Sequence, residues 1–307
     1  MKPTTLHRAW RNPDSWKRFR TGVSLHSHTC HSRERLGCLE WRPTLTPEEA
    51  LRLERGQIEH ELERPALVSL TDHDTIEAPL RLRVLSDSRH VPVSVEWTVP
   101  YREAEFHLGL HNLPPRKARD RMAELVRYTG NPRTEDLAGL LQWLVEDPET
   151  LLVFNHPCWD EKRVGAALHQ RRLEELLREN ASRVHALELN GLRPWPENQR
   201  TLELAARWRL PAISGGDRHT SEANAMLNLS PAATFSEFVE EVREFGRSEV
   251  LVMPQYRRPR ALRIARMVAE VVHQRSRNVY GDNRRNGETL APFPVPFDPS
   301  GRVHTNS

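Results

Sequence analysis

Three short clusters set imidazole beside small or acidic residues where apolar runs end: Leu25-His26-Ser27-His28, Thr71-Asp72-His73-Asp74-Thr75 and Gly216-Asp217-Arg218-His219. Glu96, after Val93-Ser94-Val95, and His156, in Asn155-His156-Pro157, repeat the pattern. Imidazole with carboxylate suits manganese, zinc or iron, and without a CxxC pair a thiolate zinc finger is not indicated. Such groups recurring after successive strands are how a multinuclear metal site is built.

The elements that must carry these groups read as strands alternating with helices. Strand-like runs cover 23–28, 66–71, 91–96, 105–110, 151–155, 184–189 and 211–215. Helical patterns start at Pro47, with Thr46 as N-cap and Glu49 at the capping-box position, and recur over 116–128, 137–146, 164–179 and 197–207. Short apolar strands alternating with helices predict an α/β fold of parallel βα units, and their number predicts a barrel rather than an open sheet. Strand side chains two apart share a face, so one ion could accept both His26 and His28, while Glu96 opposes Val93 and Val95. Chemistry in a (β/α) barrel sits at the C-terminal strand ends, where His28, His73, Glu96, His156 and Asp217 fall.

A chain of 307 residues can build one large domain with a full core. Its formal charge of +3 is too small to argue for a nucleic-acid partner. Mean hydropathy is -0.67, no apolar run could span a membrane, and the N-terminus lacks the apolar core of a signal peptide. Cys30, Cys38 and Cys158 cannot all pair internally, which points to a reducing cytoplasm.

In the order HxH, TDHD, a Glu after a strand, NHP and GDxH, the motifs resemble the PHP family, the polymerase and histidinol phosphatase superfamily of metal-dependent phosphoesterases. The likeness runs from Val23 to His219. HxH alone is shared with amidohydrolases; TDHDT and GDRH in this order make the likeness specific. The resemblance implies an α/β fold, a distorted (β/α)7 PHP-type barrel. It also implies two or three divalent ions (Mn, Zn or Fe) and hydrolysis of a small phosphorylated substrate by a metal-activated hydroxide. Carried over by motif, His26, His28 and Asp217 hold a first ion, and Glu96 bridges it to a second held by His107 and His156. A third uses His73, His219 and, from the stretch after HxH, Glu34, with His31 as the nearby rival. His111 lies four residues from His107 and competes with it. For catalysis, Arg193 and Arg218 are expected to neutralise phosphate oxygens beside Glu96. His73 or His219 would protonate the leaving oxygen if the third ion is absent. Two departures stand out: Ser24 where many relatives carry Asp, and Arg218 where relatives carry a small residue.

The expected organisation is a barrel domain over 1–256, with its motifs in 23–219 and a helical insert at about 112–150 that could roof a pocket for a small substrate. A basic helix and irregular tail follow over 257–307. Leu262, Ile264, Ala265, Val268 and Val271 need a packing partner, so the helix is expected to dock on the barrel with Arg257, Arg258, Arg260, Arg263 and Arg266 solvated. Competing readings are a nuclease acting on DNA or RNA ends, a non-catalytic metal-binding PHP module, and an amidohydrolase-like C–N hydrolase. The last usually bridges its metals with a carboxylated lysine, where this chain offers Glu96.

Overall fold

The computed structural model describes residues 4–11, 14, 16–36 and 39–282. Residues 1–271 form one compact unit and 272–307 a second, of which the described residues are helical. The tail expected to be irregular lies outside the described residues.

The chain begins with β1 (Thr5–Arg8) and β2 (Thr21–Ser24), then a short hairpin of β3 (Glu34–Leu36) and β4 (Leu39–Trp41). Helix α1 (Pro47–Leu62) starts on the expected capping box: Thr46 Oγ1 accepts from the Glu49 N–H, and the Glu49 carboxylate accepts from the Thr46 N–H. Next come β5 (Ala66–Val68), α2 (Glu77–Arg83), β6 (Val93–Tyr101) and β7 (Ala104–Leu113). Helices α3 (Ala118–Gly130) and α4 (Thr134–Val145) occupy the segment between β7 and β8 (Leu151–Asn155). Helices and strands then alternate through α5 (Ala166–Asn180), β9 (Ala186–Asn190), α6 (Trp195–Trp208) and β10 (Ala212–Gly215). Strands β11 (Met226–Ser230) and β12 (Glu249–Val252), which like β1, β3 and β4 sequence reasoning missed, flank α7 (Phe235–Arg243), and α8 (Arg260–Asp282) ends the described chain.

Pairing sorts the long strands into two five-stranded sheets, β1-β12-β11-β2-β5 and β10-β9-β8-β7-β6. The fold is mixed α/β, and among the described residues the pairing closes no single barrel. Nor are the sheets all parallel. The β6–β7 and β7–β8 pairs are antiparallel, as are β11–β2 and β11–β12. For β6 and β7 the reason is local: they are joined only by Arg102 and Glu103, with Arg102 at φ 54, and a parallel neighbour would need a crossover of a dozen residues or more. Narrow contacts link the sheet edges. His73, beyond β5, forms an isolated parallel bridge with Glu96 of β6. Between β10 and β11, the Asn228 side chain accepts from Ser214 N–H (2.7 Å) and donates to its carbonyl (2.9 Å), standing in for a ladder rung.

The inner apolar layer below the strand ends is Val23, Leu25, Leu151, Val153, Ala186 and Ile213, with Phe235, Phe238 and Val239 of α7 packed against it. Each of the buried Val, Leu, Ile and Phe side chains contributes about 1.5–3 kcal/mol. This layer anchors the chain just before the polar cluster begins.

Helix α8 docks by a different face from the one expected. Arg263 is buried, and its Nη1 donates to the Gly191 carbonyl (2.7 Å), whereas Leu262 and Val268 are exposed. Glu270 accepts from Thr44 Oγ1 (2.7 Å) and from Ser221 N–H (2.9 Å). Polar contacts to particular loops, not the apolar stripe, therefore choose the docked face. Arg257, Arg258, Arg260 and Arg266 are exposed, as the sequence predicted.

His185 sits before β9 with Nδ1 accepting the Leu152 N–H (2.9 Å). Burial, then the Arg243 guanidinium, hold its pKa down at about 3. A depressed histidine contributes stability above its unfolded value of about 6.5 that is lost as pH falls toward 3. Between pH 7.5 and 4.5 this group should cost about 2–3 kcal/mol. His185→Gln should flatten that acid limb in urea unfolding; an unchanged limb would contradict the assignment.

Candidate metal centre

The polar cluster forms just past the ends of β2, β5, β8 and β10, while Glu96 and His107, the first expected to end a strand, lie inside β6 and β7, which run on to Tyr101 and Leu113; backbone hydrogen bonds lace these segments together. His28 N–H donates to the Arg218 carbonyl (2.8 Å) and Thr71 N–H to that of Ser27 (2.9 Å). Glu96 N–H donates to Asp72 (3.2 Å) and accepts at its carbonyl from Asp74 (2.9 Å). Four of these terminal residues take positive φ: His26 (63), Asp74 (53), His156 (26) and Asp217 (53). Non-glycine residues in this region cost of order 1 kcal/mol or more and cluster where a site over-determines the backbone. The strand expected over 23–28 consequently ends at Ser24, and the turn at His26 brings His26 Nε2 within 3.1 Å of His28 Nε2.

Glu96 is the hub. It is 0% exposed. Its Oε2 lies 2.8 Å from His26 Nε2, 3.2 Å from His28 Nε2 and 3.3 Å from His73 Nε2. Its Oε1 lies 3.2 Å from His156 Nε2 and 3.4 Å from His107 Nδ1, and accepts from Asn155 Nδ2 (2.9 Å). Asp217 Oδ1 stands 3.6 Å from Nε2 of both His26 and His28. Glu34 Oε2 lies 3.4 Å from His73 Nε2 and 3.4 Å from His219 Nε2.

These atoms form overlapping groups able to hold an ion: His26-His28-Asp217, His26-Glu96-His156, His73-Glu96-His107 and His28-Glu34-His73. Ligands about 2.1 Å from one tetrahedral ion lie about 3.4 Å apart, the spacing seen here. The donor set is imidazole and carboxylate, which fits divalent manganese, zinc or iron. His107 Nδ1 is buried and makes no hydrogen bond, which a ligand atom would explain.

Electrostatics gives the same account. Burial opposes the charge of Glu34, Glu96 and Asp217, yet the facing imidazoles hold all three well below the usual carboxylate range. Burial likewise opposes protonated imidazole, but Glu34, Asp217 and Glu96 raise His28 to about 10, and Glu34 and Glu96 raise His73 to about 9. A pocket with three buried anions must hold either protons or cations.

Of the residues picked from sequence, His26, His28, Glu34, His73, Glu96, His107, His156, Asp217 and His219 converge. His31 stands outside these groups. His111 lies deeper, bonded through Nδ1 to Ser69 Oγ (2.8 Å), and burial, then the charge of His26, depress it to about 3.

The two arginines expected beside Glu96 have their contacts with other groups. Arg218 is buried but directed elsewhere: Nε donates to the Glu222 carbonyl (2.9 Å) and Nη2 to Gln57 Oε1 (3.1 Å), with Glu54 Oε1 3.3 Å from Nε. Arg193 stacks on Trp159, 3.6 Å from the ring centroid, with Nε 3.9 Å from Glu197.

Sequence reasoning gave no role to Glu188, Asn190 and Trp41, nor to Asp72 and Asn155, although the last two stand inside its motifs. Asp72 accepts from Thr29 N–H (2.5 Å) and Oγ1 (2.7 Å), shaping the turn after His28. Trp41 packs on His219 at 5.4 Å. For Glu188 a signal existed, since an acid alternating with Leu187 and Leu189 repeats the pattern that exposed Glu96.

No family model and no curated protein matches the chain. Among solved structures, PsfC from Pseudomonas syringae PB-5123 shares the fold with TM-score 0.53 at 15% identity, covering 84% of this chain and 99% of its own. An amidohydrolase from Chromobacterium violaceum with bound sulfate and no metal aligns at TM-score 0.42 and 16% identity, over 64% of this chain and 87% of its own. A candidate metal-dependent phosphoesterase from Bifidobacterium adolescentis aligns at TM-score 0.44 and 16% identity, over 73% and 95%. Among the described residues, no helix is long and apolar enough to cross a membrane.

Proposed function

We propose that this chain is a metal-dependent phosphoesterase of the PHP type, acting on a small phosphate ester, with its two sheets an opened form of the expected distorted barrel. The observation that carries the reading is the sharing of one buried carboxylate, Glu96, between two groups of imidazoles, Oε2 toward His26 and His28 and Oε1 toward His107 and His156. The residues present would hold two ions through these groups and a third through Glu34, His73 and His219. Divalent cations bound there would supply Lewis-acid stabilisation and acidify water near neutral pH. Glu96 would supply negative charge to ions held there, and Asn155 Nδ2 orients that carboxylate. His73 and His219, the more exposed imidazoles at 15% and 10%, are placed to hold a proton for a leaving oxygen when they bear no ion. Arg193 becomes a rim residue, and Arg218 is not a substrate ligand in this reading. The proposed compartment is the cytoplasm.

The test is phosphate release from an aryl phosphate and a mononucleotide after chelation and after readdition of manganese or zinc. Metal-restored release is the expected result. Metal-restored amide hydrolysis without phosphate release would favour C–N chemistry, and bound metal with no turnover a non-catalytic module.

Nucleic acid is not the proposed partner. Arg263 is buried, and Arg258 and Arg266 turn to Glu222 at 3.3 and 4.0 Å. DNA binding at physiological salt should be negligible. Submicromolar binding falling steeply with salt would move the reading to a nuclease.

A further inference from the structure

We propose that Glu188 is a positioning residue that aims His26 at the ion and couples it to the loop bearing His156. The inference rests on the metal-centre reading above. Glu188 lies on β9, is 2% exposed, and belongs to none of the ion-holding groups. Its Oε1 sits 2.5 Å from His26 Nδ1. A carboxylate acceptor requires the proton on Nδ1, which leaves the lone pair on Nε2. That Nε2 is the atom 2.8 Å from Glu96 and 3.1 Å from His28, so the hydrogen bond selects the tautomer able to ligate.

The other oxygen reaches the second group. Oε2 accepts from the His156 N–H (2.9 Å), at a residue held with φ 26, and from Asn190 Nδ2 (3.1 Å). Asn190 Nδ2 also lies 3.1 Å from Asp217 Oδ2. Two inward residues of one strand thus touch His26, His156 and Asp217. The neighbouring strand leaves room for this: a Cβ on Gly215 would fall 1.6 Å from Glu188 Oε1 and 2.5 Å from its Cδ. Gly215→Ala must therefore displace this carboxylate, and it also crowds His26 Cβ at 3.0 Å, so Glu188→Gln is the decisive variant.

The test strips wild-type protein, Glu188→Gln and Gly215→Ala of metal and titrates each with zinc against a chromophoric chelator. Loss of such an outer partner typically weakens metal affinity 10- to 100-fold, and both variants should show it with wild-type circular dichroism when metal-free. A second readout needs no Glu188 variant. In zinc-loaded wild type, imidazole nitrogen NMR should place the His26 proton on Nδ1, identified by its absence from His26→Asn. Unchanged affinity in Glu188→Gln, or a proton on His26 Nε2, would overturn the inference while leaving the metal centre standing. No zinc binding by wild type would overturn the centre and this inference with it.

Discussion

Glu96→Gln should lower phosphate-ester turnover by ~100-fold or more, the scale seen when a principal electrostatic group is removed from an active site. That is about 2.7 kcal/mol of transition-state stabilisation. The residue is fully buried, and its two oxygens face five imidazole nitrogens between 2.8 and 3.4 Å. An amide carries no charge and puts a donor where one oxygen stood, facing either Asn155 Nδ2 and two imidazoles or the other three. The apolar layer beneath, Val23, Leu25, Val153 and Ile213, is untouched, so the fold should survive. Glu34→Gln should be milder, because Glu34 serves only the His28, His73 and His219 side. Turnover, metal content and circular dichroism on both variants check this. Near-normal turnover in Glu96→Gln would remove Glu96 from the shared position.

His26→Ala combined with His28→Ala should abolish at least one ion per chain in elemental analysis after reconstitution. Their Nε2 atoms are 3.1 Å apart and each lies 3.6 Å from Asp217 Oδ1, so the pair supplies most of one donor group. The His73-Glu96-His107 group keeps its donors, so the loss should be partial. Full metal content in the double variant would sink the assignment.

Much of the site was legible because its donors lie in short local patterns. HxH, TDHD, NHP and GDRH each pack two or more polar groups into a few residues at the end of an apolar run, and period-two alternation singled out Glu96. The capping box at Thr46 was legible for the same reason, since both partners sit within one helical turn. Side-chain direction was not. Arg218 lies between two converging residues, yet its own partners are Glu54 and Gln57, on a helix more than 160 residues earlier. Arg263 was read as solvated because its helix looked amphipathic, but the Gly191 carbonyl it reaches is 72 residues away in sequence.

By itself, then, the sequence determined the kind and order of the donors and the strand–helix rhythm that carries them, because residue chemistry and short-range periodicity are local properties. The tertiary structure alone decided the split into two mixed sheets and the left-handed turns that point His26, His156 and Asp217 inward. It also decided the recruitment of Glu188 to His26 across 162 residues. Each of these depends on which strand ends meet in space, and that is settled by packing across the whole chain rather than by any stretch of it.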